Sequence, residues 1–267
     1  MAAKLNLFTE ICSMQNELNI YLNPKWKTAN YDFRLAASQE LSELIDHLPW
    51  KWWKAAKEVD MAQAKLEVVD ITHFIIADLL KYFERPELVA RMILDTETAY
   101  EQAKRDKIVK LVVSDRLATN FDGSVNGRIS ESKSFDEIIK RTFKLQARLV
   151  NCSSIYLPDV LIELWDLYDL ELKEIAKIYF SKNTLNMFRY ENGYREGTYI
   201  KIWPNQNIQQ SYSENDTANY IRLDAEDNVV LHSITEYELA NWDWTDINTR
   251  KELLARLTHR YKQIKVE

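Results

Sequence analysis

Residues 60–83, DMAQAKLEVVDITHFIIADLLKYF, decide the fold. The stretch contains neither glycine nor proline, so nothing in it interrupts a helix. Leu66, Val68, Val69, Ile71, Phe74, Ile75 and Ile76 spread apolar side chains around the whole circumference of that predicted helix. A helix that is apolar on all sides is expected to be buried. Yet it carries Glu67 and Asp70, three residues apart and therefore on one face.

Working outward, a second pair of acids, Glu40 and Glu43, stands at the same spacing in SQELSELIDH, residues 38–47. Either pair alone reads as a solvated helix face, since the chain holds 41 acids. The apolar neighbours of both pairs argue otherwise. Two adjacent helices can aim four carboxylates into one pocket, and buried carboxylates keep their charge only where cations neutralise them. Carboxylate and water ligation suits Mg²⁺, with substrate phosphates completing its shell. No histidine-rich cluster argues for zinc.

The rest of the chain fits a helical scaffold. Four glycines and five prolines in 267 residues disfavour a loop-rich β-fold. Helices are predicted over about 4–22, Asp32–His47, Asp60–Phe83, Pro86 to about Val113, Ser134 to about Val150, Pro158 towards Phe180, and Thr249–Ile264. Ser134 and Glu137 have capping-box spacing. Residues 114–134 read as a loop or lid, and Asn207–Ala218 as irregular. The expected fold is therefore all-α, a multi-helix bundle around a four-helix metal-binding core with few or no strands. We expect one domain over 1–267: core helices in 1–113, a phosphate-binding block within 134–201, and a C-terminal segment from 202.

A net charge of −6 supplies no bulk basic field for nucleic acid. No stretch reaches the ~18–20 apolar residues of a membrane span. Cys12 and Cys152 show no metal or redox spacing, so a reduced, cytoplasmic protein is expected.

Three further features suggest the ligand. Trp50-Lys51-Trp52-Trp53-Lys54 offers indoles to stack on a base and ammonium groups for phosphate. The run from Lys182 to Lys201 holds two of the four glycines, with Lys182, Arg189, Arg195, Lys201 and several amides. Glycines allow close backbone approach, and lysine and arginine bind phosphate, although GYREG also reads as a plain turn. Gln15 and Asn19, four apart on the first helix, can read the donor and acceptor edge of a base. His73 follows Asp70 by three, and reads either as a satisfied helix histidine or as a lining residue of the same pocket. Together these residues are the inventory for a nucleoside polyphosphate with Mg²⁺, cleaved by metal-activated water.

These segments resemble the dimeric all-α dUTPases, a branch of the all-α nucleotide pyrophosphohydrolase superfamily. The resemblance rests on Gln15 to Asn19, Glu40-Leu-Ser-Glu43, Pro49 to Lys54, Glu67 to Phe74, and Lys182 to Lys201. It implies Mg²⁺ held by Glu40, Glu43, Glu67 and Asp70, with Glu43 orienting or deprotonating the attacking water. It implies a uracil and deoxyribose pocket of Gln15, Asn19, Trp53, His73 and Phe74. It assigns phosphate handling and closure to Lys51, Lys54, Lys182, Asn186, Arg189, Tyr194 and Lys201. The implied reaction converts dUTP to dUMP and pyrophosphate, with dUDP also accepted, in a homodimer. After Lys201 this chain reads Ile-Trp-Pro-Asn-Gln-Asn, where relatives continue with a short glycine turn. The alternatives are a pyrophosphohydrolase for dCTP or dNTPs generally, and a non-enzymatic helical interaction protein.

Overall fold

The computed structural model describes residues 2–54, 59–118, 134–210, 219–244 and 246–264. It is mostly helical. In chain order the elements are α1 (Ala2–Leu22), α2 (Phe33–Asp46), α3 (Met61–Phe83), α4 (Pro86–Ala118), α5 (Phe135–Asn151), α6 (Leu157–Leu167), α7 (Leu172–Glu191), β1 (Ile202–Gln210), β2 (Asn219–Glu226), α8 (Asp227–Ser233) and α9 (Ile247–Ile264). The chain divides into two compact units, Met1–Asn16 with Lys27–Glu171, and Glu17–Trp26 with Leu172–Glu267.

In the first unit, α2 and α3 start at aspartate caps. Asp32 Oδ1 accepts from the Leu35 amide at 2.9 Å, and Asp60 Oδ1 from the Gln63 amide at 3.0 Å. Each cap contributes about 1 kcal/mol by satisfying an orphan donor. The helix α3 is the centre of this unit: Val68, Val69, Ile71, Ile75, Ile76, Leu79 and Leu80 are all buried. Glu84, with φ of 61°, ends it in the left-handed region, and Pro86 opens α4 two residues later. Tertiary hydrogen bonds fix its neighbours. Trp165 of α6 donates its indole N–H to Thr72 Oγ1 at 3.1 Å. The Thr142 hydroxyl donates to the Ile138 carbonyl, so the Tyr168 hydroxyl donates to Thr142 Oγ1, at 2.7 Å. The Arg34 guanidinium bonds the Cys152 carbonyl at 2.5 Å and Ser154 Oγ at 2.8 Å, and faces Asp78 Oδ1 at 3.5 Å. Ser154 Oγ in turn donates to Asp78 Oδ2 at 2.8 Å. This cluster ties α2, α3 and the short 3₁₀ turn Ser154–Tyr156 together.

The second unit packs α7, α8 and α9 with the antiparallel pair β1–β2. Its core is aromatic. Tyr199 stacks on Tyr261 with ring centroids 5.2 Å apart, and Phe188 meets Tyr261 edge-on at 5.3 Å. Trp203 is fully buried beside them, its indole donating to the Ile200 carbonyl at 3.0 Å.

Three boundary expectations are corrected. The single helix predicted from Pro158 towards Phe180 is two helices, because Asp169 adopts φ of 50° and the Leu170 amide closes back on the Trp165 carbonyl. Apolar spacing continues through this break, which hides it in the sequence. Residues Asn207–Gln210 belong to β1 rather than to irregular chain; Ile208 is buried while Asn207 is exposed, an alternation masked by amide composition. The helix α4 runs on to Ala118, past the expected start of the loop at 114. The remainder of that loop, from 119 to 133, and 211–218 lie outside the described residues.

Candidate functional site

The acids of α2 and α3 are brought together because these two helices pack side by side. One oxygen each from Glu40, Glu67 and Asp70 lies within 4.8 Å of the others, and all three residues are half-buried. The i, i+3 spacing on α3 aims Glu67 and Asp70 the same way, and burial of Leu41, Leu44, Val68 and Val69 around them locks the helices in that orientation. Such a donor set fits a hard divalent cation, since all three residues offer carboxylate oxygens. The fourth expected acid, Glu43, is exposed and accepts from the Gln39 amide at 3.3 Å. It lies one turn beyond Glu40 and outside the convergent group.

A side chain not singled out from the sequence joins the cluster. His47 Nε2, at the C-terminus of α2, lies 3.6 Å from Glu67 Oε1. Its signal was available: His47 follows Glu40 by seven residues, two helical turns, and so returns to the same face.

Beside the acids, His73 and Gln15 form a buried pair. His73 Nδ1 lies 2.8 Å from Gln15 Oε1. A carbonyl oxygen only accepts, so Nδ1 carries the proton, and in the neutral ring Nε2 is then the acceptor. Phe74, the next residue, is half-buried. Asn19 is buried four residues along α1, at the part assigned to the second unit.

The tryptophan segment forms an exposed aromatic cluster. Trp53 meets Trp50 edge-on at 5.4 Å and Trp52 at 5.5 Å, while Trp50 meets Phe143 of α5 at 5.5 Å. Trp53 is 55% exposed, and Lys54 is exposed beside it. Lys51 bonds Asp46 at 2.5 Å and sits 5.2 Å from the Trp50 ring.

The residues of the later block sit in the second unit. Lys182, Asn186 and Arg189 are on α7, with Lys182 and Asn186 half-buried. The Arg189 guanidinium grips Asp227 through two bonds, Nε to Oδ2 at 2.7 Å and NH2 to Oδ1 at 2.8 Å. It also donates to Asn186 Oδ1 at 3.1 Å. Burial pushes this guanidinium's pKa down, but the Asp227 bond and charge outweigh it and hold it above its ordinary value. Tyr199, pushed up first by burial and then by the same carboxylate, donates to Asp227 Oδ2 at 2.8 Å. Asp227 is thus a focal residue of this unit that spacing alone did not reveal, because its partners are 28 and 38 positions away. Tyr194 is exposed, with the Arg189 guanidinium 5.9 Å from its ring. Lys201 pairs with Glu226 at 3.5 Å on the surface. Gly193 and Gly197, at φ of 91° and 71°, make the tight turn between α7 and Thr198. A Cβ on Gly193 would stand 2.0 Å from Thr198 Oγ1.

No helix among the described residues is long and apolar enough to cross a membrane. Compared with known proteins, residues 7–194 match the family model described as dUTPase. No curated protein matches the chain significantly.

Proposed function

The chain belongs to the dimeric all-α dUTPase family, and from that premise we propose a Mg²⁺-dependent hydrolysis of dUTP to dUMP and pyrophosphate, with dUDP as a second substrate. Hydrolysis of dUTP comes with the family. The observation that carries the finer reading is the convergence of Glu40, Glu67 and Asp70 within 4.8 Å on two packed helices. These three would hold the cation. When bound, it would neutralise phosphate charge and lower the pKa of water at the reacting phosphorus.

The remaining work falls to the chain. Glu43, exposed at the rim, orients the attacking water and takes its proton. Gln15 and His73, fixed against one another, present hydrogen-bonding edges to uracil, with Asn19 and Phe74 completing the pocket and Trp53 as the stacking face. Lys51 and Lys54 meet phosphates in the first unit, and the family resemblance gives Lys182, Asn186, Arg189, Tyr194 and Lys201 a phosphate-handling role of their own. Arg189 does so while anchored to Asp227. A second copy of the chain completes a homodimer, and the protein works in the cytoplasm.

A turnover panel of dUTP, dUDP, dCTP and dTTP, with Mg²⁺ and with excess EDTA, tests the reading. We expect pyrophosphate and dUMP from dUTP, at least tenfold slower cleavage of dCTP and dTTP, and no turnover in EDTA. Equal rates with dCTP, or full activity in EDTA, would overturn it.

A further inference from the structure

Outside the family-matched residues, the second unit contains a cavity of about 490 Å³ between the hairpin and α9. Its size falls in the range of small-molecule sites, roughly 300–1,000 Å³. Hydrogen-bonding and cationic side chains dominate the lining: Asn205, Gln206 and Asn207 from β1, Arg222 from β2, Arg260 and Gln263 from α9. Among the described residues no carboxylate lines it. In a chain of net charge −6 that selection runs against the average surface.

Three local features show that the lining is assembled. The β1–β2 register is irregular between Trp203 and Gln206, and Asn205 sits there with φ of 54°, a left-handed conformation that asparagine tolerates better than most residues. Bulges of this kind re-aim side chains and recur beside sites. The bulge is braced on both sides: the Asn205 amide donates to Asp224 Oδ1 at 3.0 Å, and its carbonyl accepts from Arg222 Nε at 3.4 Å. Gln206 is 95% buried, its amide held by the Pro204 carbonyl at 3.1 Å. Arg260 bonds Glu238 through NH2, while its NH1 is buried with no hydrogen-bond partner among the described residues.

We infer that this cavity binds the phosphate group of a small molecule, separately from the acid cluster of the first unit. Guanidinium groups offer planar paired donors that match phosphate oxygens, and the amides both donate and accept. The amide row along β1 would then read the body of a phosphate ester.

Isothermal titration of the full chain, in EDTA so that the acid cluster carries no cation, tests this. The probes are inorganic phosphate, ribose 5-phosphate and AMP. Saturable one-to-one binding of at least one probe is expected, weakened at least tenfold in Arg222→Ala and unchanged in Glu67→Gln. Asn207→Ala, also at an exposed residue, replaces Arg222→Ala if that variant's thermal melt differs from wild type. A tenfold preference for an ester over free phosphate assigns the site to a phosphorylated metabolite, and equal affinities assign it to free phosphate. No binding of any probe, binding indifferent to the cavity variant, or loss in Glu67→Gln would sink the inference.

Discussion

Glu43 and Glu40 differ by one helical turn, and the proposed function gives them two different jobs. Glu40 sits with Glu67 and Asp70, one oxygen of each within 4.8 Å of the others, a crowding of carboxylates that a cation would relieve. Glu43 is exposed, accepts from the Gln39 amide and lies outside that group. Glu43→Gln keeps the shape and removes the base, so kcat should fall about 10²–10⁴-fold while dUTP binding changes little. Single-turnover rates and equilibrium titration check this, and an unchanged kcat would remove Glu43 from the mechanism. Trp53 is the complementary case. With half its surface open and its edge fixed against Trp50, it can offer a face to uracil at little entropic cost. Trp53→Ala should raise KM for dUTP by the equivalent of about 1–3 kcal/mol with kcat largely kept. A KM within twofold of wild type would contradict the stacking role.

At the scale of elements, the buried Arg189–Asp227 fork joins α7 to the start of α8, and Tyr199 adds a third bond to the same carboxylate. Asp227 is fully buried, so removing its charge strands a guanidinium against a neutral amide. Asp227→Asn should cost roughly 3–5 kcal/mol, read as a lower urea midpoint. A loss below about 0.5 kcal/mol, the range of ordinary surface substitutions, would mean the fork is dispensable. This tie was not legible in the sequence, whereas α2 and α3 were. Their caps at Asp32 and Asp60 and the apolar ring around Glu67 are local signals, each readable within one or two turns. The fork joins residues 38 positions apart, and the α6–α7 break depends on one left-handed aspartate inside an unbroken apolar pattern. The strand β1 escaped notice for a related reason: its buried Ile208 and Trp203 are spaced by a bulge, which erases the period of two. The candidate site shows the same division. Helical spacing puts Glu67 with Asp70 and Glu40 with Glu43. It gives neither the Gln15–His73 contact, whose partners are 58 positions apart, nor the separation of Glu43 from the other three acids. His47 obeys the same spacing rule from Glu40.

For the whole molecule, membership of a dimeric family raises the question of which face meets the second copy. In the first unit, Leu35 is 65% exposed, Ile155 57% and Tyr156 60%. These large apolar side chains flank the Arg34 cluster that ties α2 to the 3₁₀ turn, so they are carried on a braced framework rather than on loose chain. Large exposed apolar side chains that form a patch are costly for a monomer and mark association surfaces. Burying each such side chain contributes about 1.5–3 kcal/mol, and a glutamate in its place forfeits that gain and adds a charge at the interface. Sedimentation equilibrium should therefore give a species of twice the 31.6 kDa chain mass, and Leu35→Glu should shift it towards the monomer by tenfold or more in dissociation constant. Arg91→Glu, on the exposed surface of α4, is the control for added charge alone and should leave the mass unchanged. If the partner completes each active site, dUTP turnover per chain should fall on dilution of Leu35→Glu in step with its dissociation. A wild-type monomer at every concentration, or a Leu35→Glu dimer as tight as wild type, would place the family's dimer contact away from this face.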